Sequence, residues 1–496
     1  MQAQNLYLAQ DVRTLDQTII NEFAVPGYTL MESAGAAAFE VLRAAWPAAK
    51  KLVVVCGRGN NAGDGYIVAR LAHKFGYDVR VISLVSFEKL QGDALTAARA
   101  ATDVGVKLIN CEERFDSSLL LDADTIVDGI FGTGLDRVVE GRWFEVIQSI
   151  NQTGHPVLAL DIPSGLNADT GAVLGIAVEA QHTVSFIGLK QGLFTGMGRH
   201  HCGEVHFDDL NVPQAAYERV VPASHLVSYQ TSVATCLQPR IASAHKGYHG
   251  HVLGVGGDSG MLGALRLVGE AALRSGAGLV SLATRQRHAA QLSAERPELM
   301  SHGVESVAEL RLLLKKASIV AIGPGLGQGE WARLMLSTVL ETDKPLVVDA
   351  DALNLLSQEA CYRDNWVLTP HPGEAARLLG VSTQEIENNR FKAVREIQAR
   401  YGGTVVLKGA GSLICYGQQQ QIDICGDGNP GMAVGGMGDV LTGVIASMVA
   451  QQTSSPEVVR IGVCLHSAAA DCAAQRAPRG MLASDLFPHL RKLVNP

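Results

Sequence analysis

The chain has 496 residues and a formal net charge of −8, and its Lys and Arg form no basic block, which argues against nucleic acid or an anionic membrane surface as a partner. Glycine is abundant (53 residues) and aromatics are few (5%), a balance that suits α/β folds with tight strand-to-helix turns better than an all-β sandwich. The nine cysteines form no CxxC pair and are odd in number, no apolar run reaches spanning length and the start has no signal-like pattern, so a cytoplasmic protein with reduced thiols is expected.

The first half alternates strand and helix patterns. Leu30 to Trp46 is Ala-rich with helical spacing, "KLVVVCG" is a short buried strand, and Asp64 to Phe75 reads as a helix. "YDVRVISLV" is a strand and Leu90 to Val104 a helix. "TIVDGIFGTG" and "PVLALDIPSG" are strands running into polar or glycine turns, and "HTVSFIG" and "EVHFDDL" are later strands. That order implies βαβ units in a mostly parallel sheet, with chemistry where strand C-termini meet their turns. Between Asn211 and Ala244 the pattern degrades among prolines, which places a domain boundary near residue 220. A second α/β series follows, through "SIVAIGPGLG", "PLVVDADALNLL", "NWVLTPHPGEAARLLG", "TVVLKGAGSLICYG" and "GMAVGGMGDVLTGVIASMVA". Gln418 to Gln421 reads as a hairpin tip.

The stretch "CGRGNNAGDG" carries the glycine spacing of a dinucleotide-binding turn, but the second strand ends without the acidic residue that would bind a ribose. Two amides and a carboxylate crowd among its glycines. A bland account is a tight turn and helix N-cap, with Asp64 on the first turn. In a parallel sheet, however, Asn61, Asp128, Asp161 and Ser164 all converge on one edge, and Gly132 and Gly134 expose amides suited to phosphate. Oxygen ligands of low total charge suit a hard cation, and a remaining carboxylate suits acid–base work.

Over about residues 10 to 215, "GRGNNAGDGYIVAR", "VDGIFGTGL" and "ALDIPSGLNADTG" closely resemble the N-terminal domain of the bifunctional NAD(P)H-hydrate repair enzymes. The resemblance implies an NAD(P)HX epimerase on a Rossmann-like three-layer domain, residues 1–220, with bound potassium. Its potassium ligands would be Asn61, Asp128 and Ser164. Its substrate contacts would be Asn60, Asn61, Ala62, Gly63 and Asp64, then Gly132, Thr133, Gly134, Leu135, Asp136, Arg137 and Val138, and Asp161. Inverting an aminol carbon needs a proton moved on and off oxygen, and Asp161 is the expected carrier. No hydride acceptor is needed, so the missing ribose carboxylate is no obstacle.

The second half has no P-loop signature. It has three other glycine turns: Gly323 to Gly327, Lys408 to Ser412, and Gly435 to Asp439 before an apolar helix. Such a turn at a helix N-terminus can hold a phosphoryl group, and Asp439 can be a general base beside it or only a helix-start residue. "HKGYHGHVLGVGGDSGMLGALRLVGEAALRSGAGLV", "GPGLG", "VDADALN", "TPHPGE", "KGAGS" and "GGMGDVLTG", in that order over about residues 225 to 490, strongly resemble the ADP/ATP-dependent NAD(P)HX dehydratases of the ribokinase-like superfamily. The resemblance implies a ribokinase-like three-layer α/β domain, residues 221–496. Adenine nucleotide would sit on Lys408, Gly409, Ala410, Gly411, Ser412 and Gly438. The hydrated substrate would touch Ala264, Gly325, His371 and Asp439, with Asp439 the base.

Chemically, Asp439 would take the hydroxyl proton, the oxygen would attack the terminal phosphoryl with Mg²⁺ assisting, and phosphate would then leave to restore NAD(P)H. ADP or ATP is therefore consumed, and the resemblance favours ADP. His371, held between two prolines, has a competing role in satisfying backbone groups. Asp349 and Asp351 are read as caps of the following helix, with assistance to a metal as the alternative. His200, His201 and His206 show no metal-ligand spacing. A ribokinase-type small-molecule kinase with a non-catalytic N-terminal module is the competing function. A homo-oligomer acting on NADHX or NADPHX, without nucleic-acid or membrane partners, completes the expectation.

Overall fold

The computed structural model describes residues 4–495 apart from 234, 235, 238, 453, 454 and 476. The chain divides into two compact units, Asn5–Ser224 and a second beginning at His225. No helix among the described residues is long and apolar enough to cross a membrane.

The first unit holds a seven-stranded sheet in the order Lys107–Asn110, Asp78–Ser83, Lys51–Cys56, Thr125–Gly129, Val157–Leu160, His182–Phe186, Glu204–Asp208. Every neighbouring pair is parallel. "LVVVC" is apolar at every position because both faces are covered. Leu52, Val54 and Cys56 join the core under the helices Gly27–Ala45 and Asn60–Lys74. Val53 and Val55 face the other way, towards Val146, Ile147 and Ile150 of the helix Arg142–Thr153. The order of strand addition reverses between Lys51–Cys56 and Thr125–Gly129, the place where an open parallel sheet offers a crevice.

One helix differs from the expectation. It begins at Asn60, on an extended Gly59 N-cap, rather than at Asp64. Asp64 therefore lies a full turn inside, buried, and the first-turn account of that carboxylate is wrong. Glycine's freedom is required at Gly165, just after Ser164. Its φ is +97°, and an added Cβ would lie 1.8 Å from the Ile176 carbonyl oxygen. Gly165→Ala should therefore lower the stability of this unit by about 2 kcal/mol or more, read as an earlier denaturant midpoint of that unit.

The second unit orders its strands Ser224–Val227, Gln421–Cys425, Leu413–Tyr416, Thr404–Leu407, Trp366–Leu368, Leu346–Val348, Ile319–Ile322, His251–Val255, Leu279–Thr284, Met300–Gly303. Only Leu413–Tyr416 runs antiparallel to its neighbours, through the hairpin whose turn holds the glutamine run. The parallel strands end together, so Gly323, Asp349, His371 and Lys408 follow one sheet edge. The helix Met437–Gln451 is apolar nearly all round because it is buried in the core, packed on the helix Leu262–Arg274. Its N-cap, Gly436, has φ +92°, and that turn aims the first helical residues at the same edge.

Candidate active sites

In the first unit a cleft of about 760 Å³ opens at the sheet's reversal point. Asn60, Asn61, Asp64, the turn Gly132 to Arg137, and Asp161 line it. Val138, expected in that set, is outside the lining and exposed. Ala62 and Gly63 are buried in the helix behind.

Asp128 is fully buried at the C-terminal end of its strand. Its carboxylate accepts from the Ser164 hydroxyl (2.6 Å), the Ser164 amide (2.8 Å) and the Ile130 amide (3.1 Å). Burial pushes this carboxyl up to about 6, although those hydrogen bonds favour its charge. Asn61 donates to the Phe131 carbonyl at 2.9 Å, while its own Oδ1 is buried without a partner. A buried acceptor with nothing to accept costs stability, so an oxygen-seeking group belongs there. Asn61, Asp128 and Ser164 thus form one oxygen cluster.

Asp161 borders the same Gly132 turn as Asn61 but has a different partner. Its backbone has φ +64°, strained for a non-glycine residue, and its carboxylate pairs with Lys190. Lys190 is fully buried and also donates to the Ser185 hydroxyl (3.1 Å) and the Phe186 carbonyl (3.2 Å). Asp16, from the helix Ala9–Glu22, lines the same cleft. Burial pushes Asp16 up to about 6, and burial with Asp161 and Asp16 nearby pushes Asp64 well above the usual carboxylate range. The sequence reading missed Lys190 and Asp16. A signal existed for each: Lys190 is the one charge in "SFIGLKQGLF", and Asp16 falls on the apolar stripe with Val12 and Ile19.

The second unit has a cleft of about 390 Å³ lined by Asp349, Ala350, His371, Pro372, Glu374, Lys408, Gly409, Gly436, Gly438 and Asp439. Asp439 occupies the first turn of Met437–Gln451 and makes no hydrogen bond through its carboxylate among the described residues. Burial, with Asp349 and Glu374 adding negative charge, pushes it up to about 7 against the opposing pull of Lys408. Lys408 reaches Asp349 at 2.7 Å and Glu374 at 3.7 Å. The backbone of Gly438 lies against this pair, where an added Cβ would be 3.2 Å from the Lys408 ammonium.

Asp349 corrects an expectation. It stands at the N-cap of Ala350–Leu356 but makes no capping bond. Its two oxygens take Lys408 and the Thr442 hydroxyl (2.8 Å) instead, because a buried ammonium outcompetes a backbone amide for the carboxylate. Asp351 is not a cap either: it accepts from the Gly327 amide at 2.9 Å and so pins the glycine turn Gly323 to Gly327. His371 does cap its own helix, Pro372–Leu379, accepting through Nδ1 from the Gly373 amide at 3.0 Å, and still lines the cleft. Ala264 and Gly325 lie against each other, 3.4 Å from the Ala264 Cβ to the position a Gly325 Cβ would take, but outside this lining. Ala410, Gly411 and Ser412 are also outside it, with Gly411 buried and the Ser412 hydroxyl bonded to the Gly409 carbonyl at 3.2 Å.

His201 is buried against the Val178 carbonyl (3.0 Å), a core role. His206 pairs with His182 at 2.9 Å across neighbouring strands, with Glu204 near both, a grouping no spacing along the chain discloses.

Comparison with known proteins accords with this division. The family described as "YjeF-related protein N-terminus" matches residues 27–192, and the family described as "NAD(P)H-hydrate dehydratase" matches residues 252–492. The "Bifunctional NAD(P)H-hydrate repair enzyme Nnr" of Coxiella burnetii is 46% identical over 99% of this chain and 99% of its own length. The protein of the same description from Escherichia coli K12 is 43% identical over 99% of this chain and 94% of its own. A solved ribokinase-like superfamily protein from Enterococcus faecalis superposes with a TM-score of 0.51 at 29% identity, covering 55% of this chain and 96% of that one.

Proposed function

The chain belongs to the family of bifunctional NAD(P)H-hydrate repair enzymes, and on that premise we propose how its two clefts divide the work. The cleft of Asn5–Ser224 interconverts the R and S hydrates of NADH and NADPH. The cleft around Asp439 converts the S hydrate to NAD(P)H at the expense of an adenine nucleotide, with ADP going to AMP and phosphate. The observation that carries this is the Asp439 carboxylate: in the cleft, at a helix N-terminus, without a hydrogen bond among the described residues, and pushed up by burial to about 7.

In the dehydratase cleft Asp439 takes the proton of the C6 hydroxyl, and that oxygen attacks the terminal phosphoryl. Lys408 and Gly409, with the Gly438 amide at the helix start, hold the nucleotide's phosphates. The C6–O bond then breaks with its electrons on phosphate as the ring nitrogen forms a C=N bond, and loss of a C5 proton restores the dihydronicotinamide. In the epimerase cleft Asp161 exchanges a proton with the same hydroxyl oxygen.

Asn61, Asp128 and Ser164 fit potassium, since Ser164 bonds Asp128, Asn61 and Ser164 share the Phe131 carbonyl, and the Asn61 Oδ1 is buried without a partner. When bound, the ion supplies positive charge that orders the turns after Asp128 and Asp161. Potassium chloride should raise the melting temperature of this unit over choline chloride, by up to about 2.7 kcal/mol of stability at a hundredfold excess over Kd. Asp128→Asn should remove that difference. Among the described residues magnesium finds no built cage in the second cleft: of its lining carboxylates Asp349 and Glu374 are already bonded, and Asp439 is open. It fits as an ion carried in on the nucleotide's phosphates, and no step is assigned to it.

The deciding assay adds ADP to mixed R and S hydrates of NADH and follows the near-ultraviolet absorbance of dihydronicotinamide. Recovery of both hydrates, with AMP formed in step, is expected. A stable phosphorylated product without recovery would make this a small-molecule kinase instead.

A further inference from the structure

The epimerase cleft holds more acid–base machinery than one carboxylate. Asp16, Asp64 and Asp161 line it together with the cationic side chains of Arg13, Arg58, Lys89, Arg137 and Arg142, and Asp161 is paired with the buried Lys190. An ammonium has three donors, and Lys190 directs all three inward: to Asp161, to the Ser185 hydroxyl and to the Phe186 carbonyl. Nothing is left for Asp16 or Asp64, and neither accepts any other hydrogen bond among the described residues. Asp161 is thus ion-paired with a buried ammonium, while the other two carboxylates carry no hydrogen bond or ion pair among the described residues.

We propose that Asp16 and Asp161 form the acid–base pair of this cleft, with Lys190 the positioning residue that keeps Asp161 the proton acceptor and leaves Asp16 the donor. The proposal rests on the epimerase reading above. Asp16 is preferred to Asp64 on access. Asp64 is buried a full turn inside the helix Asn60–Lys74, so it meets the cleft and its solvent with less surface than Asp16 does. Asp16 is only half-buried at the cleft, with Arg13 on its own helix and Lys190, Asp161 and Asp64 facing it, so it can exchange protons with solvent.

The step balances. Asp16 gives its proton to the C6 hydroxyl, and the C6–O bond breaks with its pair on oxygen, releasing water. The ring nitrogen's lone pair forms the C=N bond. A water then adds to the other face of C6 as that pair returns to nitrogen, and Asp161 takes the proton the water sheds. One proton leaves Asp16 and one arrives on Asp161, so only the hand of C6 changes, and exchange with solvent resets the pair.

The test uses the full chain with the R hydrate of NADH and no nucleotide, following the S hydrate by chromatography across pH. Asp16→Asn should lower kcat roughly a hundredfold with KM little changed, and Asp16→Glu should recover part of it. Lys190→Met should move the lower pH limb upward, because Asp161 loses its ion-pair partner, and Lys190→Arg should leave that limb near its place. Thermal melting and ADP-dependent dehydration of the S hydrate report whether each variant is folded. Asp16→Asn within about threefold of the parent, on a scale where acid–base groups contribute a hundredfold or more, overturns the pair while leaving the epimerase reading intact. An unmoved limb in Lys190→Met overturns the positioning role. A parent chain that does not interconvert the hydrates overturns both the pair and the reading it rests on.

Discussion

Asp439→Asn should abolish dehydration while leaving nucleotide binding in place. Asn keeps the shape and the first helical turn but cannot take the hydroxyl proton, and losing a positioned base costs roughly 10²- to 10⁴-fold in rate. The amide donors at the start of Met437–Gln451 and the Lys408 ammonium remain, so the dissociation constant for ADP, read by calorimetry, should change little. In the parent chain the carboxyl lies at about 7, so the dehydration rate should fall as pH drops through that value, where the base becomes protonated. The same shift sets a sign for stability. A carboxyl whose native value is raised from 3.8 to about 7 binds its proton more tightly when folded. The charged form therefore costs nothing below pH 4, costs more as pH rises to 7, and costs its full amount above. Asp439→Asn should accordingly be more stable than the parent at pH 8, by at most roughly 4 kcal/mol, and equal to it near pH 4. A variant that keeps most of its turnover, or is no more stable at pH 8, would show that Asp439 is not the strained base.

Asp161→Asn should have two effects of comparable size. R and S interconversion should fall by roughly 10²- to 10⁴-fold with loss of the proton acceptor. The unit should also lose about 3–5 kcal/mol, because Lys190 is fully buried and would be left without a counter-charge. The backbone contributes little to that loss, since Asn accepts φ near +64° at least as readily as Asp does. The double variant Asp161→Asn with Lys190→Met separates the two effects. Stability should largely return because no charge is stranded, while epimerisation should stay absent. Recovery of activity along with stability would mean that Asp161 acts only through packing.

The two clefts were legible to different depths. Asn61, Asp128 and Ser164 were grouped from the sequence because each lies at or just past a strand's C-terminal end, and a parallel sheet gathers those ends whatever lies between them. Asp439 was singled out as the carboxylate in a glycine turn before an apolar helix, and it lies in the second cleft. Asp349 was misjudged because an Asp followed by a helix has a local partner in view, while its actual partners, Lys408 and Thr442, come from the ends of distant elements. Asp64 was misjudged through a helix boundary: two asparagines and a glycine argue against helix locally, yet burial against Gly27–Ala45 extends the helix back over them.

What the amino-acid order determined by itself was everything that depends on near neighbours. The runs buried on both faces follow from it, and so do the glycine turns and the alternation that makes the sheets mostly parallel. Only the tertiary structure decided which charge answers which. One lysine serves Asp161 and leaves Asp16 and Asp64 without a partner, and another takes Asp349 from its helix. The reason is physical: helix and strand signals act over a few residues, whereas the cost of a buried charge depends on every group that folding brings within a few ångströms, from any point in the chain.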